Sequence, residues 1–319
     1  MAPRPWSSRA RRALLAALVT TSVALPVSGA ARPAAVPAPA PAVLAPLGTV
    51  TASELDARYA AGRLEIRAAR DMATRHGDSR RAAALGDMAG PGRQFLTFDG
   101  RDGGRSAEVL GDLSRARRIA VLVPGAGVDL DHYGRLRRGA QTLLDELGGG
   151  SAVVAWLGYR TPTTLGPSSL TAARADEAAP GLRAFVAELT TATPDARVTV
   201  LCHSYGSVVC ARAASGLDVA DIVLYGSPGT GAGSAAGLHT RATVRAGLGG
   251  HDWIAGVPHT TLALPFVTVG FGTDPVSPEF GAKVFDAGDA GHSDYLGPGS
   301  VSLRSIAGIV AGTAGGGRG

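Results

Sequence analysis

The stretch Val198-Thr-Val-Leu-Cys-His-Ser-Tyr-Gly-Ser-Val-Val-Cys210 joins two runs that do not share a conformation. The first is β-branched and apolar and suits a buried strand; the second is apolar with helical character. Ser204 stands between them among small residues. This order predicts a nucleophile elbow, in which a strand turns sharply into a helix and the Ser, held in a strained backbone conformation, presents its hydroxyl above the sheet. The positions two before and two after the Ser must be small, because strand and helix nearly touch there. Gly206 meets the second requirement. Cys202 occupies the first, so the pattern is C-x-S-x-G and the turn has to accommodate one modest side chain.

The rest of the chain is arranged around this turn. Residues 1–30 begin with Arg4, Arg9, Arg11 and Arg12, continue with an apolar run over 13–25 and end at Ser28-Gly29-Ala30. That order predicts a secretory signal peptide with cleavage near Ala30; the run is shorter than the roughly 20 residues of a membrane span. Arg11-Arg12 matches a twin-arginine signal only loosely, so the export route is left open. Because the segment carries four Arg and no acidic residue, the formal charge of +5 reduces to +1 for residues 31–319. The basicity is therefore a targeting feature. No dense Lys/Arg stripe interleaved with aromatics remains, which argues against nucleic-acid binding. Residues 31–48 are a Pro/Ala-rich leader without a periodic apolar face. Over 49–90 the spacing of Leu55, Tyr59, Ile66 and Met72, with Thr51 or Ser53 as cap, predicts a helical segment.

From residue 91 to the end, the pattern predicts one α/β domain. Strands are expected over 94–98, 106–110, 119–123, 152–157, 198–201 and 221–225, with helices over 172–189 and 207–214. Such alternation implies a single, mostly parallel sheet flanked by helices. The two cysteines, Cys202 and Cys210, are too few for a disulfide framework. They are expected as buried thiols, since a strand end and the following helix place their Cα atoms beyond the roughly 7 Å that a bridge allows.

In sheets of this class, sites form at the carboxyl ends of strands. The glycine turn Pro124-Gly-Ala-Gly127 follows the buried strand over 119–123, and its backbone can approach a substrate closely. Ala126 and Tyr205 are the expected N–H donors for an oxyanion. No Lys-Ser/Thr follows as a phosphate loop would require, and the third glycine and acid of a dinucleotide fingerprint are not in place. His292 follows an expected last strand over 282–285 and lies C-terminal to Ser204, as the order Ser, acid, His requires. The seven His show no metal-ligand spacing, so neither a metal nor a cofactor is expected. His203 is expected on the opposite side of the turn, as a packing residue. The acid is Asp252 or Asp274: each follows a strand-like run, one beginning at Thr243 and the other at Val267. Asp252 is favoured because its strand directly follows the one over 221–225, and Asp274 in Thr-Asp-Pro suits a turn.

Taken together, 120–125, 156–159, 203–207, 226–229, 280–282 and 291–295 resemble the α/β-hydrolases, and more narrowly a bacterial α/β-hydrolase family of largely unassigned activity. The resemblance covers about residues 90–311 and implies the α/β-hydrolase fold and a Ser-His-acid mechanism without a defined substrate. The expected function is that of a secreted serine hydrolase acting on a small acyl ester, lipid esters included, through an acyl-enzyme. The alternative is an exported binding protein on the same fold.

Overall fold

The computed structural model describes residues 36–48, 50–164, 166–257, 261–264 and 267–313. The expected signal peptide lies outside the described residues. Residues 36–48 have no regular structure. Helix α1 (Ala52–His76) starts on a reciprocal cap in which Thr51 accepts from the Glu54 N–H and Glu54 accepts from the Thr51 N–H, and it ends at Gly77 with φ 84°. Helix α2 (Ser79–Met88) follows after Asp78, which caps it. Leu55, Tyr59 and Ile66 face inward from α1. Gly62 brings α1 down on the first strand: a Cβ there would lie 2.9 Å from the Phe95 carbonyl oxygen.

Eight strands form one sheet: β1 (Gln94–Asp99), β2 (Arg105–Gly111), β3 (Arg118–Val123), β4 (Ser151–Leu157), β5 (Arg197–His203), β6 (Asp221–Tyr225), β7 (Thr243–Gly247) and, defining β8 and β9 below, β10 (Lys283–Val284). Their spatial order is β1-β2-β4-β3-β5-β6-β7-β10. The pairs β1/β2 and β2/β4 are antiparallel, and all others in the sheet are parallel. This is the expected fold class. Every residue of β4 is buried, in keeping with a central strand covered on both faces. Helices α3 (Tyr133–Leu147), α4 (Ala173–Ala192), α5 (Gly206–Ala213) and α6 (Val301–Ala311) complete the layers. Apolar side chains from the two faces of the sheet build two cores, one around Val121, Val154 and Val200 and one around Leu122, Val153 and Leu201. Alternate residues of one strand thus supply opposite cores.

The buried charges are compensated. Glu108 on β2 is 1% exposed and takes ion pairs from Arg93 and Arg137, while Asp221 at the start of β6 takes them from Arg197 and Arg245. Leaving either carboxylate without its arginines would strand a buried charge. No helix among the described residues is long and apolar enough to cross a membrane.

Three features differ from the sequence reading. Helices α3 and α6 were not expected. The strand-like run from Val267 does not enter the main sheet: β9 (Val267–Val269) pairs antiparallel with β8 (Leu262–Leu264) in a separate two-stranded ribbon. The cysteines are bridged, Cys202 to Cys210, with Cα atoms 6.4 Å apart. The helix leaves the strand at so tight a turn that its second turn returns above the end of β5. Because helical Cα–Cβ bonds tilt toward the N-terminus, Cys210 points back at Cys202.

Candidate active site

The chain leaves β3 on one side and re-enters the sheet at β5 on the other, so the turns after these two strands face each other across a topological switch point. Here the elbow and the glycine turn meet. Ser204 has φ 52°, one of three non-glycine residues in the left-handed region among those described. Such a conformation costs on the order of 1–3 kcal/mol and persists only where the surroundings enforce it. Two things enforce it here. The Ser204 N–H donates to the Tyr225 carbonyl across β6 at 3.0 Å. Gly206 lies so close to the end of β3 that a Cβ would be 2.6 Å from the Val123 carbonyl oxygen. Gly125 is constrained in the same way, since its Cβ would stand 2.7 Å from that of Ser204.

His292 Nε2 lies 2.9 Å from Ser204 Oγ, and His292 Nδ1 lies 2.9 and 3.1 Å from the two carboxylate oxygens of Asp252. The three side chains come from loops at the carboxyl ends of β5, β7 and β10. With Nδ1–H donated to Asp252, Nε2 is left to accept the Ser204 hydroxyl proton. Asp252 also accepts from the Ile254 N–H at 2.9 Å and from the Tyr295 hydroxyl at 2.7 Å. Burial by itself would raise the Asp252 carboxyl. The hydrogen bonds from His292, Ile254 and Tyr295 outweigh it and hold the group below the usual carboxylate range. Gly226, with φ 57°, leaves room for this pair: a Cβ would come within 2.8 Å of Asp252 Oδ2 and 3.3 Å of His292 Nδ1.

Asp274 sits elsewhere. Its carboxylate accepts from the Val276 N–H in the turn that begins there. The preceding strand-like run belongs to the separate ribbon, so its end does not lie on the carboxyl edge of the main sheet.

The turn carrying Ala126 is pinned by the loop after β4. Tyr159 donates to the Pro124 carbonyl at 2.7 Å, Thr161 to the Val128 carbonyl at 2.8 Å, and the Gly127 N–H to the Pro162 carbonyl at 2.9 Å. Tyr205 is anchored by its hydroxyl, which donates to the Thr171 carbonyl and accepts from the Ala175 N–H. Among the turn and loop hydrogen bonds of the described residues, neither the Ala126 nor the Tyr205 N–H is a donor. Both residues line the cavity in front of Ser204.

His203 is a correction to the expectation that it points away. It lines the same cavity, its ring centroid is 4.8 Å from that of His292, and its Nε2–H donates to the His292 carbonyl at 2.7 Å. Burial, and then the charge of a protonated His292, push His203 down to about 4, so it is neutral at pH 7. Tyr295 and Trp253 had no assigned part in the sequence reading. Tyr295 bridges Asp252 and the Gly249 N–H, which donates to its hydroxyl at 2.9 Å, and Trp253 lies against His292 with ring centroids 4.8 Å apart. Tyr295 lies within residues 291–295, but its partner is 43 residues away and no spacing signals it.

An open, mostly parallel sheet with a Ser at a left-handed strand-to-helix turn and a His after the last strand defines a class. The sequence model of a family described as Alpha/beta hydrolase matches residues 99–262, more than half of the chain, and the chain belongs to that family. The uncharacterized proteins Rv0963c of Mycobacterium tuberculosis and Mb0988c of Mycobacterium bovis are each 32% identical over 181 residues, covering 52% of this chain and 64% of theirs. Similar solved structures include XC6422 from Xanthomonas campestris, a serine hydrolase without lid, with TM-score 0.45, 18% identity and coverage of 70% of this chain and 94% of that one. The esterase LipW from Mycobacterium marinum has TM-score 0.43, 18% identity and coverage of 79% and 89%. At these scores the structural neighbours add nothing to the family match.

Proposed function

We propose that the chain is a secreted serine hydrolase that cleaves carboxylic esters through an acyl-enzyme, with Ser204, His292 and Asp252 as its catalytic residues. The observation that carries this reading is His292 lying within 2.9 Å of both Ser204 Oγ and Asp252 Oδ1. His292 takes the Ser204 proton as the oxygen attacks the ester carbonyl. The N–H groups of Tyr205 and Ala126 receive the oxyanion, His292 returns the proton to the leaving alcohol, and water then releases the acid by the same base. Asp252, held ionised, stabilises the imidazolium formed between these steps.

A fluorophosphonate probe tests the nucleophile: stoichiometric labelling confined to Ser204 is expected, and unlabelled, well-folded protein would refute the reading. Ser204→Ala and His292→Ala should each remove nearly all hydrolysis of a p-nitrophenyl ester, and the double variant should be about as inactive as either, since such residues act as a unit. For export, the order of charged, apolar and small residues in 1–30 motivates N-terminal sequencing of protein from the culture medium. A mature chain beginning near Ala31 is expected; intact chain retained in cells would count against secretion.

A further inference from the structure

The cavity in front of Ser204 has a volume of about 730 Å³ and a largely apolar wall that includes Leu122, Val128, Leu136, Val257 and Phe271. No Asp or Glu is among the described residues that line it. Histidines apart, the one charged side chain lining it among the described residues is Arg135.

Arg135 lies in the first turn of α3 and is exposed. Among the described residues it has no ion-pair or hydrogen-bond partner. On the same helix Arg137 is paired to Glu108, whereas Arg138, also without an ion pair among the described residues, does not line the cavity. A guanidinium left without an anion beside an apolar cavity is matched to a planar anionic group, which it can bind through two parallel N–H donors. Its place on the helix tells which side of the cavity it occupies. One turn on from Arg135, Gly139 also lines the cavity, and a Cβ there would lie 3.1 Å from Leu296, in the loop that carries His292. His292 is the group that hands a proton to the departing alcohol, so the alcohol part of a bound ester lies on this side.

We propose that Arg135 is an anion subsite that selects esters of an apolar acyl group whose alcohol part carries a carboxylate or other anionic group. The inference rests on the ester-hydrolase reading above and adds the substrate class. Because the guanidinium is exposed, the effect is moderate and screened by salt.

The octanoyl esters of 4-hydroxybenzoic acid and 4-hydroxybenzamide form a near-isosteric pair, anionic and neutral at pH 7.5. The quantity read is the ratio of kcat/KM for the acid ester over the amide ester, in wild type, Arg135→Gln and Arg135→Lys. Intrinsic differences in leaving-group reactivity cancel when the ratios of two proteins are divided. The wild-type ratio is expected to exceed that of Arg135→Gln by about 3- to 10-fold at low ionic strength, mainly through KM. The excess should shrink in 0.5 M NaCl, and Arg135→Lys should retain part of it. Equal ratios in wild type and Arg135→Gln overturn the subsite while turnover of both esters leaves the hydrolase reading standing. No turnover of either ester by folded wild type removes both.

Discussion

Asp252 accepts hydrogen bonds from His292, Tyr295 and the Ile254 N–H, so its charge and its orientation are both set by neighbours on two loops, its own after β7 and the one after β10. As an Asn it would offer a single oxygen and an NH2 that cannot accept from the imidazole Nδ1–H. The variant Asp252→Asn should therefore fold and yet lose up to about 10⁴ in kcat, the scale seen when the orienting carboxylate of such a site becomes an amide. Asp274→Asn should cost little, because Asn accepts from the Val276 N–H in the same turn nearly as well. Both substitutions are isosteric, so the contrast reports charge and proton placement. Kinetics of the two variants on one ester, with circular dichroism as the folding control, decides between them; a crippled Asp274→Asn beside an active Asp252→Asn would reverse the assignment.

The strand-turn-helix element holds Ser204 in place through a close backbone approach and one covalent link. Gly206 permits the approach, and the Cys202–Cys210 bridge spans the turn from a position two residues before Ser204 to one six residues after it. Both cysteines are fully buried. A bridge closing a loop this short is worth about 2–3 kcal/mol through the unfolded chain it restrains. Replacing both cysteines by Ala should lower the unfolding free energy by about that amount in urea titrations. A midpoint and slope equal to those of the wild type would show that the bridge adds nothing to stability. Cys202 also accounts for the departure from Gly at this point of the elbow: its side chain is taken up by the bridge instead of pressing on the helix.

Across the whole molecule, acid sensitivity has an identifiable source in His203. It packs against Tyr225, Tyr295 and His292, with Asp252 and Arg135 acting on it electrostatically. In the folded protein it titrates at about 4, against 6.5 when unperturbed. Between these values the unfolded chain binds the extra proton, so stability rises with pH. The contribution is complete above about pH 6.5 and is lost as pH falls to about 4, about 3 kcal/mol at most. Asp252 acts in a lower window: its depressed carboxyl supports the fold above about pH 4 and ceases to as pH drops through its folded value. Urea unfolding at pH 7 and pH 4.5 should show a larger loss for the wild type than for His203→Gln. Identical losses would mean that His203 is protonated without strain in the folded state.

Local patterning was enough to read the elbow, the apolar runs that became β3 to β6, and the family resemblance, because each depends on residues a few positions apart: small residues beside Ser204, β-branched runs, glycines at a turn. The candidate positions Ser204, His292 and Asp252 were legible for a related reason, since each follows a strand and strand ends line one edge of a parallel sheet. Helix α3 was missed, although its buried Leu136, Ala140, Leu143 and Leu147 keep helical spacing, because arginines and glycines interrupt the run. Three things were decided only by the tertiary structure. Whether the run at Val267 joined the main sheet depended on its partner strand, and pairing with β8 removed Asp274 from the sheet's edge. The disulfide depended on the crossing of helix over strand, which brings two Cα atoms to 6.4 Å. Tyr295 depended on two loops 43 residues apart meeting around one carboxylate. Contacts of this kind follow from the order in which strands are laid into a sheet, and no periodicity along the chain encodes that order.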